Sequence, residues 1–176
     1  YIMSILRANT IDLKQTGPLT QERSRNSALN KQEALDQKSI LDSYPRRFVF
    51  ELTNACNLRC VMCGRNSAQF KATFFNRNWL DIFDHASEKV EEVTLMGWGE
   101  PTVHPEFSHF LHWAYKNGLR KYFCTNGMRL DNLFSDIFNY HTDIIAISLD
   151  GADKETNNRI RAGSDFDKII SSLRRI

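Results

Sequence analysis

Four β-rich runs recur along the chain from residue 47, each followed by a helical pattern, and this alternation restricts the fold more than any other feature. "RFVFELT" (47–53), "EEVTLMGW" (91–98), "KYFCTN" (121–126) and "DIIAISLD" (143–150) are dense in β-branched and aromatic residues, and each closes on a polar or glycine turn. Helical patterns fall near 78–89, 105–117 and 130–139. A fourth begins after Gly151, with Ser164 and Asp167 spaced as a capping box for the last helix. The order βαβαβαβα, with near-continuous apolar strands, predicts an α/β protein whose parallel sheet is covered by helices.

The chain divides near Pro45. Residues 1–45 form a polar N-terminal extension, in which Ala28, Leu29, Ala34, Leu35, Ile40 and Leu41 are spaced for one amphipathic helix ended by Pro45. This segment reads as an extension packed on the body or an arm that binds a partner; residues 46–176 form the core domain. The chain opens on Tyr1 and stops at Ile176 inside a helical pattern with no C-cap. Both ends therefore read as artificial, and the edge of the fourth strand is expected to lack a neighbour.

Composition narrows the function. Of 176 residues, 41% are hydrophobic and 25% charged, which is ordinary for a globular protein and argues against disorder. A net charge of +2 gives no electrostatic case for nucleic acid or a membrane surface, and no apolar run approaches the roughly 18 residues of a spanning helix. The chain thus reads as cytoplasmic, a reducing compartment in which clustered thiols serve metal or redox chemistry rather than disulfides.

In parallel α/β sheets, ligands sit beyond the carboxyl ends of the strands. Here those ends carry the unusual residues: "CNLRCVMC" (56–63) after the first strand, "GWGEP" (97–101) after the second, "CTNG" (124–127) after the third and "SLDG" (148–151) after the fourth. A closed zinc site needs four ligands, and His85 or His104 could each complete Cys56, Cys60 and Cys63 after folding, which leaves zinc open. A thioredoxin-like pair would use Cys60 and Cys63 and leave Cys56 idle. Three thiolates on a four-iron cluster would leave one iron open to another ligand.

Taken together, Cys56-x-x-x-Cys60-x-x-Cys63, "GWGEP", "TNG" and "SLDGADKETNNRIRAG" resemble the radical S-adenosylmethionine (radical SAM) enzymes, the last stretch being especially similar to the SPASM or twitch subgroup. The resemblance implies a parallel-stranded partial (βα)6 TIM-like barrel, with about four βα units present and the core truncated at its C-terminus. It implies a [4Fe-4S] cluster and S-adenosyl-L-methionine as cofactors, with reductive cleavage of the latter giving a 5′-deoxyadenosyl radical that abstracts hydrogen. Cys56, Cys60 and Cys63 would be the cluster ligands. Met62 would present its main chain to adenine, and Gly99 and Glu100 would receive the ammonium group, with Trp98 in the slot where the family most often has another glycine. Ser148 and Arg161 would hold the ribose and the methionine carboxylate, and Asn126 would contact the ribose. A reductant such as flavodoxin or ferredoxin is implied as a partner, and the subgroup favours a peptide substrate over a small molecule. The catalytic residues that act on the substrate are not legible.

Each of these residues also has a plain structural reading. Cys124 reads as a small buried hydrophobe, Glu100 as a turn residue, Ser148 as a core serine, and Arg161 as a surface arginine with Arg159 as its rival. Met62 and Trp98 could fill space, His104 and His112 could be ordinary helix residues, and "FKATFFNRNW" (70–79) could pack under the cysteine loop. A non-enzymatic iron–sulfur electron-transfer or structural metal-binding module is the alternative function. What favours the enzyme is the joint placement of these groups at consecutive strand ends.

Overall fold

The four runs fold as strands that lie side by side and parallel. A computed structural model describes residues 10–13, 16–67 and 71–176. The strands are β1 (Thr10–Asp12), β2 (Arg47–Phe50), β3 (Glu92–Leu95), β4 (Arg120–Thr125) and β5 (Ile144–Ile147). The helices are α1 (Gln21–Leu35), α2 (Asp81–Ser87), α3 (Phe107–Lys116), α4 (Phe134–Asn139), α5 (Lys154–Ile160) and α6 (Phe166–Leu173). The sheet order is β1-β5-β4-β3-β2, with β2 to β5 parallel in the register Arg47↔Glu92, Glu92↔Arg120 and Tyr122↔Ile144.

Period-two alternation decides which residues reach the core. Phe48, Phe50, Val93, Leu95, Phe123, Ile145 and Ile147 point to the helix side, where α3 supplies Phe107, Phe110, Leu111 and Ala114 at helical spacing. α4 adds Ile137 and α6 adds Ile169. The other face is less covered than continuous apolar strands predict: Val49, between two buried phenylalanines, is 61% exposed. β2 also ends earlier than the run 47–53, because the chain at Leu52 and Thr53 turns to a different neighbour. Leu52 O accepts the Phe75 N–H at 2.8 Å, and Thr53 forms an antiparallel bridge with Phe74. Phe75 packs on Phe50 and Phe110, whereas Phe74 and Trp79 stay half-exposed; Phe70 lies outside the described residues.

Three expectations are corrected. The N-terminal helix starts and stops earlier than predicted, capped at Thr20, whose Oγ1 accepts the Arg23 N–H, and ending before Gln37 at φ 54°. Its buried stripe is Arg23, Asn26, Ser27 and Glu33, at helical spacing but wholly polar, while Leu29, Leu35, Ile40 and Leu41 are exposed. A reading based on apolar periodicity cannot see such a face. Second, the edge of β5 has a neighbour, since β1 pairs with it antiparallel through Thr10↔Ala146 and Asp12↔Ile144. Third, α6 is capped by Asp165, which accepts the Lys168 N–H at 3.2 Å; Ser164 instead donates to Asn158 Oδ1 at 2.9 Å. Asp165 has the extended backbone that an N-cap needs, so the helix starts one residue later than the capping-box spacing suggests.

Polar clamps gather at the amino ends of the strands. Arg23 donates from Nη1 to Gly118 O at 2.6 Å and from Nη2 to Ser87 O at 3.1 Å and to Asn117 O, so one cation serves carbonyls at the ends of both α2 and α3. Asn26 bonds Tyr44 N, Tyr44 O and Lys89 O. Asp143, at the start of β5, accepts from the backbone and hydroxyl of Thr16 and from Lys121 N, with the buried Lys121 ammonium 3.6 Å away. Burial holds the Lys121 pKa below its usual value against the pull of Asp143. Arg23→Ala would leave buried helix-terminal carbonyls unpaired. It is expected to lower stability by about 2–3 kcal/mol in urea unfolding, the range for a buried bond from a charged donor.

Candidate functional site

The segment that leaves β2 is pinned by its backbone on both sides. Ala55 O accepts the Glu100 N–H at 2.8 Å, which ties it to the end of β3. Farther on, the Arg59 and Val61 N–H groups donate to Ala162 O and Ile160 O, each at 2.9 Å. Cys56 and Cys60 lie between these anchors and Cys63 two residues past the last; all three are free thiols, each half-buried. Cys60 O accepts both the Cys63 N–H and the Asn66 side chain, which closes the turn between the last two cysteines. Met62 and Val61 project outward and are exposed.

Glu100 sits at the centre of the strand ends, 3% exposed. Its Oε1 accepts from Thr102 N at 3.1 Å, Thr102 Oγ1 at 2.6 Å and Thr125 Oγ1 at 2.7 Å, and its Oε2 accepts from Asn126 N at 2.7 Å. Thr125 O in turn accepts the Ser148 N–H at 2.8 Å. Hydrogen bonds therefore run from the cysteine segment through β3 and β4 to β5. Gly99 is glycine because of this closeness: a Cβ there would lie 2.2 Å from Thr53 O and 2.4 Å from Ala55 O.

Two side chains reach from the strand ends to the sulfurs. Asn126 donates to Asn57 Oδ1 at 2.8 Å and faces Cys56 Sγ at 3.9 Å, where the Leu58 N–H also arrives at 3.4 Å. Arg161 Nη1 lies 3.8 Å from Cys60 Sγ, and its Nε forms an ion pair with Asp150 Oδ2 at 2.6 Å, although that N–H is not aligned on the carboxylate. Burial pushes the Cys60 thiol pKa up. The Arg161 guanidinium pulls it down, and Cys56 and Cys63 push it up again. Ser148 is half-buried, with Oγ 3.5 Å from Cys124 Sγ. Cys124 is thus not the fully buried hydrophobe expected of a strand interior; it faces away from Phe123, towards Ser148. Asn57, Thr125 and Asp150 have no role in the sequence reading, although each lies inside a motif that it singles out.

The fourth-ligand question has a geometric answer. Among the described residues, no three Cys, His, Asp or Glu side chains converge closely enough to hold one metal ion. His104 is buried and committed: Nδ1 accepts the Glu106 N–H at 3.0 Å, which leaves Nε2 to donate to Phe75 O at 3.0 Å. His85 packs edge-on against Tyr44, just before β2, at the other end of the sheet from the cysteines. A structural zinc site closed by histidine is therefore not what this loop forms.

The family model for the radical SAM superfamily matches residues 50–176. The chain belongs to that superfamily. Among curated radical SAM relatives it is 33% identical over 135 residues to the mycofactocin maturase MftC of Mycobacterium tuberculosis, covering 75% of this chain and 34% of that protein. It is also 33% identical over 105 residues to the tungsten-containing aldehyde ferredoxin oxidoreductase cofactor-modifying protein of Pyrococcus furiosus, covering 57% of this chain and 29% of that one. The chain spans about a third of the length of these curated relatives. In fold it is similar to Streptococcus suis SuiB bound to S-adenosylmethionine, with TM-score 0.62, 21% identity, and coverage of 85% of this chain and 35% of that one. No helix among the described residues is long and apolar enough to cross a membrane.

Membership in the radical SAM superfamily implies a [4Fe-4S] cluster and S-adenosylmethionine. The residues suit that pair. Three unpaired thiols lie near enough for Cys56 and Cys63 to act on Cys60, and N–H donors from Leu58, Asn126 and Arg161 are aimed at two of the sulfurs, as ligating thiolates attract. Glu100→Gln would turn an amide donor towards groups that already donate. It is expected to lower stability by about 2–4 kcal/mol in thermal or urea unfolding of the metal-free chain. Gly99→Ala is expected to shift the cysteine segment and sharply reduce the iron held after anaerobic reconstitution.

Proposed function

We propose that this chain carries the cluster-binding core of a radical SAM enzyme that modifies a peptide. The observation that carries the reading is the convergence of a three-cysteine loop, Glu100, Asn126, Ser148 and Arg161 at the carboxyl ends of adjacent parallel strands. When bound, the cluster would supply one electron to the sulfonium of S-adenosylmethionine, releasing methionine and a 5′-deoxyadenosyl radical that takes hydrogen from the substrate.

In this reading the chain's residues divide the work. Cys56, Cys60 and Cys63 would hold the cluster and leave one iron open to S-adenosylmethionine. The main chain at exposed Met62 would contact adenine. Ser148 and Asn126 would approach the ribose, and the Arg161 guanidinium, beside Cys60, would pair with the methionine carboxylate. Glu100 is buried under four donated bonds, so it offers the ammonium group at most its less occupied Oε2, beside the Gly99 backbone. A low-potential donor such as flavodoxin or ferredoxin delivers the electron.

The peptide substrate draws support from the relatives. One is a maturase, and SuiB, whose fold the chain shares, is known in complex with the precursor peptide SuiA. The reaction class, whether oxidation, lysis or group transfer, stays with the substrate. Anaerobic reconstitution should give about four irons per chain, and Cys60→Ala should abolish the site. Adding S-adenosylmethionine to the reduced protein should change its EPR spectrum; an unchanged spectrum would mean that no iron is open, which sinks the reading.

A further inference from the structure

We infer that Arg161 sets the reduction potential of the cluster by donating a charge-assisted N–H···S bond to Cys60; this rests on the cluster assignment above. Three observations place the guanidinium there without any help from S-adenosylmethionine. The backbone bonds Arg59 N–H to Ala162 O and Val61 N–H to Ile160 O bracket both residues, so residue 161 is carried against residue 60 by two short contacts. Nη1 lies 3.8 Å from Cys60 Sγ, within hydrogen-bond range for sulfur. Asp150 holds the Nε side of the same fork at 2.6 Å, and the Arg161 side chain is only 15% exposed, so little water screens it.

The sign follows from charge. Reduction adds one electron and no proton to the cluster, and the negative charge spreads onto its thiolates. A cationic donor fixed at one thiolate stabilises the reduced form more than the oxidised one, raising the potential. Cys56 is served differently, by the neutral donors Leu58 N–H and Asn126 Nδ2, so the positive donor falls on one ligand of the three and not on all. Arg161 would then have two duties: making the cluster reducible by a biological donor before S-adenosylmethionine arrives, and pairing with the carboxylate afterwards. The planar fork has donors enough for both.

The test uses the reconstituted protein without S-adenosylmethionine, comparing wild type, Arg161→Gln and, as a charge-loss control at the opposite end of the sheet, Arg47→Gln. The redox midpoint is followed by the EPR signal of the reduced cluster. Arg161→Gln is expected to lower the reduction equilibrium constant at least tenfold, about 59 mV for a one-electron couple, at unchanged iron content, while Arg47→Gln leaves the midpoint in place. If Arg161→Gln fails to retain iron, Arg161→Met is measured instead, and is expected to shift in the same direction because it also removes the cationic donor. An unchanged midpoint in the variant that holds iron, even with weaker binding of S-adenosylmethionine, overturns the inference and reduces Arg161 to a carboxylate ligand. Wild type that binds no iron overturns the functional reading and this inference together.

Discussion

A buried carboxylate with no cation against it among the described residues organises the carboxyl end of the sheet. Glu100 is kept by donors alone: the hydroxyls of Thr102 and Thr125 and the amides of Thr102 and Asn126. Burying an ion this way is tolerated only when its lone pairs are met by well-placed partners. Because those partners belong to two different strand ends, satisfying the charge also fixes where the strand ends lie. The Glu100 N–H completes the arrangement by binding Ala55 O, so the cysteine segment inherits the same frame. The order of cause runs from one side chain to the turn at 125–127, and from there to Asn126 over Cys56.

The molecule separates stability from chemistry along the strand direction. At the amino ends, Arg23, Asn26 and the Asp143–Lys121–Thr16 cluster bind α1 and the N-terminal segment to the sheet with bonds that face no ligand. At the carboxyl ends, the polar groups surround the sulfurs. Parallel βα architectures place their chemistry at this end, since loops there can vary without disturbing the hydrogen-bonded frame.

The legibility of the sequence follows the same division. The four strands and most helices could be read because their apolar residues recur with the periods of two and 3.6 that burial demands, as in "KYFCT" and "FSHFLHWA". The cysteine spacing and the glycine-bearing turns could be read because few other structures require them. Three things were beyond the method. α1 buries arginine, asparagine and glutamate, so hydropathy pointed to the wrong face. β1, three residues long, pairs with β5 across the whole chain, and nothing local in "TID" announces an edge strand. The crowding of Gly99 by Thr53 and Ala55 of its own chain, a second reason for glycine there, depends on the tertiary fold and leaves no local sign.

The two-sided fastening of the cysteine segment also bears on how such a chain can diverge. Ala55, Arg59 and Val61 are each tied to a separate part of the scaffold, so an inserted or deleted residue between them would break at least one tie. The spacing of this segment is therefore held constant by the scaffold beneath as firmly as by any metal above.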